Sequence, residues 1–568
     1  METQITFLGI IISMGIAMII LGIVNRKRQE RWLEKRLLDA YGKIPEKRIP
    51  PENVSRIPEY FRRHAAEDRI DDITWNDLDM DDIFRRIDST LSAAGEEYLY
   101  YVLRTPDCDP GMARRISALE GDDRTADRLM LQKALYKLSG TGKYSIYEYM
   151  SLLKTLGRRS SAPHYAALVF PFAALAVMAF HVQAGLILFI LSIIVNMLTY
   201  FNEKGKIEPF IVSFRYLLRM ISCADEMSRT PVRGLEPEQE ALRRLRAEFA
   251  DFVRGSGIVM SQSQTGSGNP FDAVLDYLRI ILHLDLIKFN SMYAKTMERQ
   301  QQIDSMITIV GGIDAAIAAA SFRKTLPYWC SPVFTGDVGS GENGALEISE
   351  LYHPLLSNPV SNSITAARPV LLTGSNASGK STFIKAVALC SLLGQTIATC
   401  PAASWRGRKS RILSSMALRD SIQEGESYFM VEIKSLRRIL DAGGSVLCFI
   451  DEVLRGTNTI ERIAASSEIL MEFAKRGILC FAATHDIELT EILAEYYDKY
   501  HFEEELTGGD VAFSYRLHEG PATTRNAIRL LEKAGFDADL TARANERAAR
   551  FEKEGSWLFD LSKAAGGK

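Results

Sequence analysis

Residues 160–202 contain no Asp, Glu, Lys or Arg, and no other feature narrows the folds open to this chain as much. The run reads "YAALVFPFAALAVMAF", then His181-Val182-Gln183, then "AGLILFILSIIVNMLTYF". Two apolar halves with a short polar break make a helical hairpin. It must be covered by protein or by lipid. Each half is slightly short for a bilayer span, so a hairpin buried in a soluble core remains open. The flanks favour the bilayer: Lys154, Arg158 and Arg159 precede the run, and Lys204 and Lys206 follow it. Basic residues at both ends put both ends in the cytosol.

A second uncharged run, 5–24, is long enough to span by itself. A signal peptide carries positive charge ahead of its apolar stretch. Here only Glu2 precedes it, while Arg26, Lys27, Arg28 and Arg31 follow. The expectation is an uncleaved anchor and three spans in all. That describes a multi-pass cell-membrane protein whose other parts are cytoplasmic. The 568 residues exceed one core, so several domains are expected. A net charge of -3 exerts no global pull on nucleic acid. The seven cysteines are scattered without a CxxC pair, which argues against a metal site or disulfide framework and fits a reducing compartment.

The expected organisation is an anchor at 1–24, a juxtamembrane helix and linker at 25–69, and a helical core in two parts, 70–159 and 203–330. The hairpin at 160–202 interrupts that core. "DDIFRRIDSTLSAAGEEYLYYVLRTP" places apolar residues three and four apart, as an amphipathic helix does. Residues 254–270 form a Gly/Ser loop, and 271–323 read as one or two long helices, packed core or lever. From 331 to 522 short apolar runs alternate with helices, as in a parallel sheet with crossovers. Residues 523–568 return to helix.

"VLLTGSNASGKSTFIKAVAL", 370–389, reads as strand, glycine-punctuated turn and helix. Within it Gly374-x-x-x-x-Gly379-Lys380-Ser381 is a phosphate-cradling loop. The backbone N–H groups of Gly374, Ser375, Asn376, Ala377, Ser378 and Gly379 would bind phosphate oxygens, aided by the positive end of the following helix. Lys380 would neutralise the β and γ phosphates, and Ser381 would ligate Mg²⁺, with Thr382 continuing the site. About 70 residues on, "SVLCFIDE" is a buried strand ending in two carboxylates. Asp451 suits the Mg²⁺ shell, and Glu452 would orient or deprotonate an attacking water. An acidic pair at a strand end is often only a helix cap; the preceding phosphate loop argues against that here. The next apolar strand, "ILCFAATHD", ends in His485, a candidate γ-phosphate sensor. ATP and Mg²⁺ are the expected cofactors of an ATP hydrolase, with Glu452, His485 and Lys380 catalytic.

Four stretches in order resemble the MutS family of mismatch-repair ATPases. "TGSNASGKST" is similar to the family's "TGPNMGGKST", and "SYFMVEI" to "STFMVEM". "DEVLRGTNT" is similar to "DELGRGTST", and "ATHDIELT" to "ATHYFELT". Upstream, "LYHPLL" resembles the family's entry into its ATPase domain, and "STLSAAGEEYLYYVL" the start of its helical core. "RNAIRLLEKAGF" resembles its C-terminal helix-turn-helix region. The resemblance implies an α/β P-loop ATPase domain of the ABC type, preceded by an all-α core or lever domain that here carries transmembrane helices. It also implies a homodimer sandwiching ATP head to tail, with Ser427 reaching in trans to the partner's γ-phosphate. Asn376 matches the family's phosphate-loop asparagine. Ser375, Ala377 and Ser378 stand where the family has Pro, Met and Gly, and Leu454 stands where it has Gly.

In the family's repair members a mismatch-reading domain precedes the helical core and wedges a Phe into DNA. Residues 25–70 are too few for such a domain. Phe502-Glu503-Glu504 follows the ATPase strands and reads as surface. "WRGRKSR", 405–411, reads as a solvated loop. The expected partners are a second copy of the chain, the membrane, and DNA bound without strong mismatch specificity. Two alternatives stand beside this reading: a membrane-remodelling or transport-associated motor, and an ATP-binding dimeric scaffold. The chain lacks the transporter signature "LSGGQ", and its intact loop, carboxylates and His485 weigh against a scaffold.

Overall fold

In the computed structural model the described residues are 2–46, 54–64, 69–139, 145–157, 159–260, 277–336, 344–375, 378–416, 428–455, 457–507, 510–521, 528, 531 and 535–554. They divide into two units. One comprises Met1–Arg69 and Ile83–Pro327, the other Ile70–Asp82 and Tyr328–Lys568. The segment 70–82, read from the sequence as the beginning of the helical core, thus packs within the second unit.

The first unit is helical. Its centre is "IVGGIDAAIAAA" in helix Gln300–Thr325, whose small residues admit a neighbour closely. A Cβ on Gly311 would lie 2.6 Å from the Ala94 carbonyl oxygen of helix Ala93–Arg104. Asp314, buried in this apolar stretch, is satisfied there. Its carboxylate accepts the Ser92 N–H at 2.8 Å and the Ser92 hydroxyl at 2.6 Å. Ser92 Oγ in turn caps the helix through the Gly95 N–H at 3.0 Å. A buried carboxylate is tolerable only when bonded in this way.

Three helices among the described residues are long and apolar enough to cross a membrane: Ala162–Phe180, Val182–Arg229 and Gln300–Thr325. Burial separates them. The most apolar window of Gln300–Thr325 is 83% buried, against 22% for each of the other two, so the third is a core helix. The hairpin consists of Ala162–Phe180 and Val182–Ile207, about 28 and 39 Å long at 1.5 Å per residue. Folded, both halves come close to or exceed the ~30 Å hydrocarbon thickness, because the second helix continues past Asn202 through Glu203, Lys204 and Lys206. Gly185 lets the two helices meet: a Cβ there would lie 2.2 Å from Met178 Cα. Val169, Phe172, Ile187, Leu198 and Phe201 are exposed along the pair. Helix Glu2–Ala40 runs unbroken for 39 residues, and Met14, Met18, Leu21 and Val24 on it are exposed.

The second unit contains two sheets. The strands are β1 (Val333–Phe334), β2 (Leu346–Leu351), β3 (Asn362–Ala366), β4 (Val370–Thr373), β5 (Ser404–Gly407), β6 (Arg411–Ser415), β7 (Val446–Asp451), β8 (Leu479–Ala483), β9 (Asp498–Thr507) and β10 (Asp510–Glu519). Six form one sheet in the order β10-β9-β4-β8-β7-β6, and four form another in the order β1-β5-β2-β3. β6, β7, β8, β4 and β9 are parallel, as the alternation of runs and helices predicts. β10 is antiparallel to β9, and the smaller sheet is mostly antiparallel. The architecture is therefore mixed. A two-residue connection cannot carry a parallel crossover, which needs a dozen residues or more, so β9 and β10 form a hairpin.

Two readings are corrected. Residues 405–411 are only in part a loop: 408–410 connect β5 to β6, but Trp405 lies on β5, 2% exposed, and its ring meets Phe334 edge-on at 5.5 Å. The indole N–H donates to Ser391 Oγ at 3.3 Å, so the aromatic belongs to the core and only its neighbours face outward. Phe502 is not surface either. β9 pairs with β4, which directs Phe502 (3% exposed) inward against Phe383 at 5.7 Å.

Candidate functional site

β4 is buried throughout and ends at Thr373, just before Gly374. Gly374 (φ 137°) and Gly379 (φ 103°) bound the turn into helix Lys380–Ile397, in backbone conformations that disfavour side chains. A Cβ on Gly374 would also lie 2.9 Å from the Phe502 carbonyl oxygen. The Ser378 hydroxyl donates to Ser375 O at 2.8 Å. Lys380 folds back over the loop, donating to Gly374 O at 2.7 Å and Ser375 O at 2.6 Å. The buried Ser375 Oγ has no hydrogen-bond partner among the described residues. A loop with an inward lysine, an orphan hydroxyl and a helix N-terminus is suited to a phosphate chain. Asn376 and Ala377 lie outside the described residues, as does Ser427.

The strand order puts β7 two places from β4, with β8 between them, so the residues leaving these three strands converge at one sheet edge. Ser381 Oγ donates to Asp451 Oδ2 at 2.6 Å, which puts two oxygen donors suited to a hard divalent cation side by side. Glu452 follows with φ 59°, and its N–H bonds Ala483 O at 3.0 Å. Its carboxylate lies 2.8 Å from His485 Nε2 and 2.6 Å from Arg455 Nε. The hydrogen bond from His485 holds the Glu452 pKa below its ordinary value, with Arg455 and Lys380 adding to the effect against partial burial. Glu452 is thus an ionised acceptor at neutral pH. His485 is fixed by its surroundings: Thr484 N–H bonds Leu372 O at 2.9 Å, and Arg462 grips Asp486 with two bonds of 2.9 and 2.5 Å.

Lys380, Ser381, Asp451, Glu452 and His485 therefore come together, as their sequence spacing suggests. Thr382 lies on the other side of Gly379. With Gly379 it lines a cavity of about 370 Å³, whose wall includes Tyr352, His353, Phe383, Phe502 and Tyr515. Burial, aided by Lys385, pushes His353 down to about 4 and keeps it neutral. An aromatic wall beside a phosphate-type loop suits a planar heterocycle on a phosphate chain. Tyr352 and His353 of this wall belong to the stretch "LYHPLL".

Further residues support the site unannounced. Arg455 sits in the "DEVLRGTNT" stretch and neutralises the acidic pair. Glu432, in "SYFMVEI", is buried; its carboxylate accepts the Leu454 N–H, and burial raises its pKa. Leu454 itself is buried at φ 57°, a left-handed conformation where the resembled family has Gly. Asp77, on helix Asp72–Asp77, accepts the Ser414 hydroxyl at 2.6 Å and the Met416 N–H at 2.9 Å at the end of β6. Thr74 Oγ1 accepts the Ser414 N–H at 3.1 Å, and Asp79 pairs with Lys385 on the loop's helix at 2.6 Å.

Residues 370–552 match the family model described as MutS domain V. The chain is 32% identical over 274 residues to the DNA mismatch repair protein MutS of Natronomonas pharaonis. That match covers 46% of this chain and 31% of the relative, so the chain spans about a third of the curated relative's length.

Proposed function

With domain V making this a MutS-family protein, we propose that the chain is a membrane-anchored, Mg²⁺-dependent P-loop ATPase. In this reading the 374–379 backbone and Lys380 bind the phosphates, with Lys380 leaving its loop carbonyls to do so. Ser381 and Asp451 hold Mg²⁺. Glu452 orients the attacking water, and His485 steadies Glu452 and contacts the γ-phosphate. The aromatic cavity beside Gly379 takes the base. Bound Mg–ATP would supply the phosphoanhydride and the cation that neutralises it. The observation that carries the reading is the pair of contacts Ser381–Asp451 and Glu452–His485 at the strand ends beside the loop.

The active unit is a homodimer, in which Ser427 completes the partner's site. The hairpin and residues 1–24 span the bilayer, with the ATPase domain cytoplasmic, and their support is the uncovered apolar surface of these helices. Nucleotide binding and hydrolysis drive a movement of the helical lever. DNA is the expected partner, held through its backbone without strong mismatch specificity. The test is the ATPase rate of detergent-solubilised full-length protein with no DNA and with matched, mismatched and branched duplex. Stimulation that is steeply salt-dependent and nearly equal for matched and mismatched duplex supports the reading. A preference worth about 1–3 kcal/mol, one good base contact, contradicts the lack of mismatch reading. Indifference to every DNA favours a membrane-remodelling motor driven by the same residues.

A further inference from the structure

Between the hairpin helices and the turn at His283 lies a cavity of about 970 Å³. Its wall follows one face of each helix. From Pro163 to Ala173 that face rises about 15 Å, half of a ~30 Å hydrocarbon core. The deep end is apolar, with Phe170, Ala173 and Val195, while the mouth holds Arg159, Ser160 and Glu203. Arg159 Nη2 and Lys206 Nζ each bond Glu203, both at 2.6 Å. Two cations share one carboxylate, so this group carries a net positive charge.

His164 and His283, 5% and 2% exposed, line the same cavity. Their Nδ1 atoms lie 3.1 Å apart, and His283 Nε2 lies 2.8 Å from Asn196 O. A carbonyl only accepts, so His283 Nε2 carries its proton and its Nδ1, in the neutral ring, accepts from His164.

We propose that this cavity holds one anionic phospholipid of the bilayer, an acyl chain in the groove and the phosphate at the Arg159 mouth, with Lys206 nearby on Glu203. The proposal rests on the membrane reading of the hairpin. An amphiphile fits better than a soluble phosphate ester. Beyond the histidines the wall is apolar at Phe170, Ala173 and Val195, and the surrounding Val169 and Leu198 are 59% and 70% exposed. The positive mouth lies beside the basic flank that the orientation rule places at the cytosolic surface.

The test is native mass spectrometry of full-length protein, extracted in detergent and offered equal phosphatidylglycerol and phosphatidylcholine. The wild type should keep one phosphatidylglycerol in about fivefold preference, as one unshared cation near an anionic headgroup implies. Arg159→Gln should lose the preference. Ala166→Phe/Ala173→Phe, which fills the groove from exposed positions, should lose the bound lipid. Equal retention by wild type and the filled variant, an adventitious lipid only, overturns the proposal. So does glycerol phosphate being kept equally by both. Carbonate-resistant flotation with phosphatidylglycerol vesicles is the separate control. Protein that floats but keeps no lipid sinks this proposal alone, whereas protein that does not float sinks the membrane reading with it.

Discussion

His485 Nε2 and Glu452 Oε1 lie 2.8 Å apart, just beyond the ends of the neighbouring strands β8 and β7. Neither residue is near the other in sequence; the parallel pairing of Asp451 with Ala483 brings them together. The contact fixes the Glu452 carboxylate in its ionised form.

That contact has a consequence in acid. The folded Glu452 pKa lies below its ordinary value of 4.5, so the unfolded chain takes up this proton at higher pH than the folded one. The stabilisation is present above that ordinary value of 4.5 and is lost as the pH falls through the lowered folded pKa. Thermal melts of wild type and Glu452→Gln from pH 7 to 3 should converge toward the acid end. A constant gap between them would show that Glu452 makes no such contribution.

Leu454 is the position where a local rule is broken. Its left-handed backbone costs a non-glycine residue about 1–2 kcal/mol. At ordinary buried sites Gly is worse than Ala. Here Leu454→Gly should be more stable than Leu454→Ala by about 1 kcal/mol, though both lose the packing of the leucine. Urea denaturation of the domain in the full chain reads the difference, and the reverse order would rule out the strain.

Asp77→Ala should destabilise the second unit by about 2–4 kcal/mol, because it leaves the buried Met416 N–H and Ser414 hydroxyl without their acceptor. Asp77→Asn keeps an acceptor oxygen and should cost markedly less. Equal losses in the two variants would mean that packing, not the pair of hydrogen bonds, is what Asp77 supplies.

Membrane orientation is read by single cysteines in a background lacking the native seven. Cysteine at Gln183, in the first turn of the second hairpin helix, should react with an impermeant reagent in intact cells, and cysteine at Ser89 should not. Labelling at Ser89 alone would invert the topology.

The chemistry of the site was more legible than its supports. Gly374, Gly379, Lys380, Ser381, Asp451, Glu452 and His485 sit at fixed offsets from apolar strands, and the ends of a parallel sheet gather such residues on one edge. The aromatic cavity was not legible, because Tyr352, Phe383, Phe502 and Tyr515 come from four separated stretches with no shared spacing. Phe502 was misread for the same reason, since only the pairing of β9 with β4 turns it inward. Trp405 looked solvated beside four cations, yet alternation along the short strand β5 buries one side chain and exposes the next. Gln300–Thr325 passes as a span by composition, and only its packing shows it to be core. Asp77 and Glu432 are polar residues within helices, and a sequence cannot say which backbone N–H will need them.

The most direct test of the account is single-turnover and steady-state ATP hydrolysis by full-length Glu452→Gln in detergent, with ATP affinity measured alongside. The substitution keeps the shape of the side chain and removes only the charged acceptor that would orient the water. Affinity should remain within about twofold of wild type while turnover falls by roughly 10²–10⁴-fold, the range for losing a positioned acid–base group. Hydrolysis at the wild-type rate would contradict the assignment of Glu452, and with it the proposed engine.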